Sequence, residues 1–120
     1  MSAPLVVDKS SAPYSIWGED CESWTLSVGP GFHVQLERMP PHTTETLHYH
    51  AGVRQLYIVL GGEATVRLEA GDVRLTERQA LPIEPEVPHQ MRNESDGELE
   101  FLVISSSPPR DDRVDLETGA

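Results

Sequence analysis

Prolines and glycines break this chain so often that no helix of useful length can be written into it. Ten prolines and nine glycines are spread along 120 residues. Proline removes a backbone donor and glycine is costly inside a helix. No window long enough for a helix carries a period-3.6 apolar stripe. The runs between the breaks are short, with alternating or β-branched character. They predict strands at about 23–28, 32–39, 44–50, 54–60, 64–68, 72–76, 79–83, 90–93 and 98–105. Turn residues separate them: Gly29-Pro30-Gly31, Pro40-Pro41, Gly61-Gly62, Gly71-Asp72 and Asp96-Gly97. Gly61-Gly62 and Ala70-Gly71 read as tight hairpin turns, where glycine supplies a positive φ. Many short strands joined by regular turns predict an all-β fold, an antiparallel sandwich or barrel.

The length suits a single domain with one core. Residues 1–13 read as a polar N-terminal arm, 14–107 as the barrel, and 108–120 as an acidic C-terminal tail that opens on two prolines. Lys plus Arg is 9 against 20 Asp plus Glu, a formal net charge of −11. Such a chain has no electrostatic reason to bind phosphate backbones or anionic lipid, so nucleic acid and membrane are set aside as partners. The lone Cys21 cannot form an internal disulfide, and the N-terminus lacks a signal-peptide pattern. Both fit a cytoplasmic address, in which the glycosylation triplet Asn93-Glu94-Ser95 is idle.

The chemistry lies with the histidines. His48-Tyr49-His50 puts two imidazoles on one face of a strand, because alternate side chains share a face. Gln55 follows after a turn at Ala51-Gly52-Val53, and a returning antiparallel strand would set it across from the pair. His89 follows the proline-stiffened stretch Glu84-Pro85-Glu86-Val87-Pro88. Three imidazoles and an amide oxygen suit a divalent transition ion: zinc, iron(II), nickel or manganese. A single histidine is more often an ordinary half-buried side chain, and His33 is read so, exposed on its strand. His42 is placed in the Pro40-Pro41 turn. If Gln55 points inward, alternation brings Tyr57 and Val59 inward too, and His89 likewise brings Met91 and Asn93. In the strand 32–39 one phase holds Phe32, Val34 and Leu36, the other His33, Gln35, Glu37 and Met39. Either phase can line the pocket; an inward Glu37 or Arg38 would be an acid, base or anion clamp. The glycine pairs lack a following helix start, so they are hairpin turns rather than phosphate loops.

These residues resemble the cupin superfamily. Its first motif, a His-x-His pair followed by a Glu and a hairpin glycine, is matched by His48-Tyr49-His50-Ala51-Gly52-Val53-Arg54-Gln55 running on to Gly61-Gly62. Its second, a Pro/Gly-rich approach to a His with an Asn four residues on, is matched by Ile83 to Asn93. The resemblance spans roughly 31–106 and implies a small monocupin jelly roll with a metal inside. Gln55 stands where Glu is usual; His42, Arg78 and Glu86 stand where the motifs usually have Gly. A three-His, one-Gln shell is neutral, so a divalent ion keeps its full charge toward enolates or carboxylates. Some monocupin polyketide cyclases look similar.

A three-His site with open positions predicts an enzyme using the metal as a Lewis acid on a small oxygen-rich or carbonyl substrate, in isomerase, cyclase, lyase or dioxygenase chemistry; the fold alone does not choose among them. Tyr57 or a residue of 32–39 would move the proton. The alternatives are a non-catalytic small-molecule-binding cupin and a structural cupin that has lost its metal; metal analysis separates the last from the others. A homodimer is expected, with Leu5-Val6-Val7 able to supply an edge strand. A monomer in solution scattering would remove that expectation.

Overall fold

Period-2 alternation builds the molecule. In the strand from Gln55 to Gly61, Gln55, Tyr57 and Val59 are buried while Leu56, Ile58 and Leu60 are not. In the strand from Leu99 to Ser105, Leu99, Phe101, Val103 and Ser105 are buried. Faces of this kind must pair across a core, and two sheets do so. The computed structural model describes residues 3–29 and 31–116. In these residues the elements are β1 (Tyr14–Trp17), β2 (Cys21–Ser27), β3 (His33–Met39), β4 (Thr43–Thr44), β5 (His48–His50), β6 (Gln55–Gly61), β7 (Ala64–Leu68), β8 (Gly71–Leu75), β9 (Ala80–Ile83), β10 (Gln90–Asn93), β11 (Leu99–Ser105) and β12 (Arg113–Asp115). A 3-10 turn at Pro109–Asp111 precedes the last strand. Pro30 of the Gly29-Pro30-Gly31 turn lies outside the described residues, as do 1–2 of the arm and 117–120 of the tail.

One sheet runs in the order β1-β2-β3-β11-β6-β9, a second in the order β4-β10-β7-β8, and β12 pairs with β5. All pairings between these strands are antiparallel. The expected all-β antiparallel fold is therefore the fold found. Among the described residues no helix is long and apolar enough to cross a membrane. The apolar core includes Met39, Val59, Val66, Met91, Leu99 and Phe101, all essentially without exposure.

The structure corrects several local expectations. The run 44–50 is not one strand. It divides into β4 and β5, and between them Glu45 ties itself to β10: Glu45 N donates to Met91 O at 3.0 Å, and Met91 N donates to Glu45 Oε1 at 3.0 Å. β5 does not pair with β6. β6 lies in the other sheet between β11 and β9, while β5 takes β12 as its neighbour. Gly61-Gly62 is not a hairpin turn but the corner where the chain leaves one sheet for the other. Gly62 is needed there: φ is +86° and a Cβ would stand 2.2 Å from the Glu98 carbonyl oxygen. The β7–β8 hairpin does close through Glu69 and Ala70, with Leu68 opposite Gly71. Two strands went unread in the sequence, β1 and β12.

At the N-terminus Leu5 and Val6 are almost fully exposed. Lys9 anchors the arm, with its Nζ over the Trp24 ring and 2.7 Å from Glu100 Oε2.

Candidate metal centre

A direct backbone link joins the two histidine motifs. His48 N donates to His89 O at 3.1 Å, and His89 N donates to His48 O at 2.8 Å. Residues that exchange both bonds across an antiparallel ladder place their side chains on the same face. His48 and His89 are thus turned inward together, and His50 joins them by alternation. Glu86 N adds a bond to His50 O at 2.7 Å. The three rings are 2%, 4% and 0% exposed for His48, His50 and His89. One ring nitrogen of each lies within 4.8 Å of the other two.

Each ring is held by its other nitrogen. His48 Nδ1 donates to Thr46 O at 2.8 Å, His89 Nδ1 to Val87 O at 2.9 Å, and His50 Nδ1 to Asp112 Oδ1 at 2.9 Å. Carbonyl and carboxylate oxygens only accept, so each Nδ1 carries the proton and each Nε2 keeps a lone pair. Burial pushes the His48 imidazolium down to about 3, helped by the neighbouring His89, and the His89 imidazolium down to about 4. Both rings are therefore neutral at pH 7, the form that binds metal.

Gln55 approaches from the opposite sheet and lines the same cavity as His48 and His50. Its Nε2 donates to Ser105 Oγ at 3.0 Å, which fixes the amide and leaves Oε1 buried without a protein partner. His89 Nε2 is buried and unpartnered as well. Leaving a buried polar atom unsatisfied costs about 1–3 kcal/mol. The clustered imidazole nitrogens, with the Gln55 amide on the wall of the same cavity, make a donor set that fits a bound cation.

The cavity measures about 680 Å³, within the usual range of small-molecule sites. The polar phase of β3 lines it, through His33, Gln35 and Glu37. This resolves the open phase of that strand and overturns one expectation: His33 is buried, not exposed. The usual inside-apolar rule fails here because the barrel encloses a polar cavity at this end. Tyr57 lines it too, its ring centroid 5.7 Å from that of His89 and 6.0 Å from Phe101. Burial raises the Tyr57 hydroxyl well above its ordinary value, with Glu45 and Glu37 adding to the effect. Burial likewise lifts Glu37 to about 7, against the opposing pull of Ser23 and Trp17, and its Oε2 is buried without a partner. Glu45, with its Oε1 3.9 Å from His48 Nδ1, is pushed by burial up to about 8.

His42 is far more exposed, in its turn, with Nε2 2.8 Å from Asp96 Oδ1. Arg38 faces outward into ion pairs with Glu22 and Glu98, so neither residue belongs to the site. Asn93 is buried but structural: its Nδ2 donates to Met39 O, Pro40 O and Gly97 O.

Sequence reasoning missed Asp112 and Arg113. The strand β12 lies along β5 with Arg113 opposite His50 and Asp115 opposite His48. Asp112 accepts from His50 Nδ1, Gly52 N and Val53 N. Burial opposes its charge, but the bonds from Gly52, His50 and Val53 prevail and hold the carboxyl below its usual range. No motif announces these residues; a carboxylate partner for one of the clustered histidines is the one signal to look for.

Two antiparallel sheets enclosing an inward histidine cluster define a cupin-type barrel. A family profile described as Cupin domain matches residues 35–105, and the chain belongs to that family. No curated protein matches the chain. Among solved structures, the polyketide cyclase RemF from Streptomyces resistomycificus superposes with a TM-score of 0.82 at 15% identity, covering 98% of this chain and 88% of its own. A predicted oxalate decarboxylase from Thermotoga maritima gives 0.78 at 20% identity, covering 84% and 97%. A sugar phosphate isomerase of the cupin superfamily from Silicibacter pomeroyi gives 0.76 at 20% identity, covering 88% and 77%. At these identities the likeness is one of fold. Family and histidine cluster together suggest a metal site.

Proposed function

We propose that the chain is a metal-dependent cupin enzyme acting on a small oxygen-rich or carbonyl substrate. In this reading His48, His50 and His89 hold a divalent transition ion through Nε2, and Gln55 completes the set through Oε1. The observation that carries it is the hydrogen bonding. Every ring is anchored through Nδ1, and the Gln55 amide through its nitrogen. Side chains serving only as core filling have no need of this common orientation.

When bound, the ion supplies Lewis acidity toward a carbonyl or enolate oxygen. The four donors carry no charge, so they do not offset that of the ion. Glu37 takes and returns the proton, since a carboxyl lifted to about 7 is poised for both directions near neutrality. Tyr57 stays protonated and acts as a hydrogen-bond donor to substrate. The buried walls, Phe101 and Val103 among them, limit water in the cavity. The isomerase, decarboxylase and cyclase names of the structural neighbours fit this substrate class.

The test is elemental analysis of protein purified without added metal, on wild type and on His50→Ala. Wild type is expected to carry about one transition ion per chain and the variant to lose most of it. Equal metal content in both would overturn the site.

A further inference from the structure

We infer that Arg113 is a specificity residue that anchors an oxyanion group, a carboxylate or a phosphate, on a substrate bound in the histidine cavity. The inference deepens the metal-enzyme reading and rests on it. Among the described residues that line the cavity, Arg113 alone carries a permanent positive charge. The other paired cations, Lys9, Arg38, Arg54, Arg74 and Arg92, are engaged with carboxylates elsewhere on the molecule.

Its position is set by the backbone. Arg113 stands opposite His50 in an antiparallel pair, so its side chain leaves the ladder on the face of the histidines. Bonds on either side of β12 pin the register: Ala51 N donates to Asp112 O at 3.2 Å and Leu116 N to Leu47 O at 2.8 Å. The guanidinium is oriented by Asp115, whose Oδ1 accepts from Nε at 2.7 Å. That bond leaves both terminal amino groups for another partner. A planar pair of donors fits a carboxylate or phosphate edge better than any neutral group. The side chain is about one-third exposed, at the mouth of the cavity rather than its floor. Its charge is nonetheless felt inside, where it favours ionised Glu37.

The rest of the molecule sharpens the argument. With a net charge of −11, the long-range field repels anions. An anionic substrate must therefore be recognised locally, and Arg113 is the permanent cation on the cavity wall placed to do so.

Cobalt(II)-loaded wild type, R113Q and R113K are titrated with three probes of equal length: succinate, 3-phosphonopropionate and the half-neutral succinamate. The cobalt visible bands report binding. Wild type is expected to prefer one of the two dianionic probes over succinamate by about tenfold, the scale of one charge-assisted contact at a partly exposed site. R113Q should narrow that preference to about twofold, and R113K should keep part of it. Cobalt content and thermal midpoint should match wild type, which a merely structural role for Arg113 would not allow. The favoured probe identifies carboxylate or phosphate. An unchanged preference in R113Q, or none in wild type, overturns the inference. If wild type takes up no cobalt, the metal reading falls instead. The same titrations by calorimetry on metal-free protein then decide: an Arg113-dependent preference supports the anchor, and its absence overturns it.

Discussion

At Arg78 the backbone is left-handed, with φ +67°, and His42 and Glu86 share that conformation at +58° and +71°. These are the three positions where the family motifs usually have glycine. The departures are now understandable: the fold still demands glycine's conformation, and this chain supplies it with L-residues. The strain is of the order of 1–2 kcal/mol per site, partly offset by the lower chain entropy of a non-glycine residue. Arg78 is exposed, and the described bonds of its turn run through backbone groups and the Gln79 side chain. Arg78→Gly should therefore raise stability by about 0.5–1 kcal/mol. Arg78→Val should lower it by about 1–2 kcal/mol, because a branched Cβ fits that region worst. Urea titration of both variants measures the pair; the reverse order would remove the strain argument. The inward turn of His48 and His50 was legible because period-2 geometry is local. The burial of His33 was not, since its strand offered two phases. Met39 shares the phase of His33, Gln35 and Glu37, and only its burial in the folded core shows that this phase turns inward.

At the scale of elements, the segment from Pro108 to Leu116 holds the most information that sequence reading could not reach. Its prolines and acidic residues look like a surface arm, and its partner lies 62 residues away in the chain, as the His50–Asp112 bond shows. Strand pairing over that distance leaves no periodic trace. Gln55 shows the opposite case: the residue was legible, while its sheet was not, because a short connection suggested a hairpin that the barrel does not make. Asp112 makes this segment part of the site. Replacing it by Asn puts an amide where His50 and two backbone amides all require an acceptor. D112N should weaken zinc binding by about 10–100-fold, measured by competition with a chromogenic chelator. Wild-type affinity in D112N would reduce Asp112 to a loop tether.

For the whole molecule, four buried groups shape stability against pH in the metal-free protein. His48 and His89 titrate at about 3 and 4 when folded, well below the ordinary histidine value of 6.5. The unfolded chain binds their protons first, so stability rises with pH up to about 6.5. Glu37 and Glu45 titrate at about 7 and 8, above the ordinary 4.5. The folded chain keeps their protons longer, so their contribution is present below 4.5 and is lost as pH rises through 7 and 8. The slopes oppose one another between about 4.5 and 6.5. The expected profile is a plateau across that window, a fall below it and a fall above it. In Glu37→Gln the alkaline fall should become shallower while the acid limb stays unchanged. Thermal midpoints from pH 3 to 9 check this; equal alkaline limbs in both proteins would refute it.

The alternation along the inner strands has a consequence for how such a barrel can change over evolutionary time. Glu37 is followed two residues on by Met39, Tyr57 by Val59 and His89 by Met91, while Leu99 precedes Phe101 by the same step. The first three and Phe101 belong to the site, and their companions are fully buried core. Each inner segment thus runs from a part buried in the core to a part on the cavity wall, with Tyr57 and Phe101 belonging to both. Outside that overlap, selection can rewrite the second without disturbing the first, and a new chemistry need not cost the protein its fold.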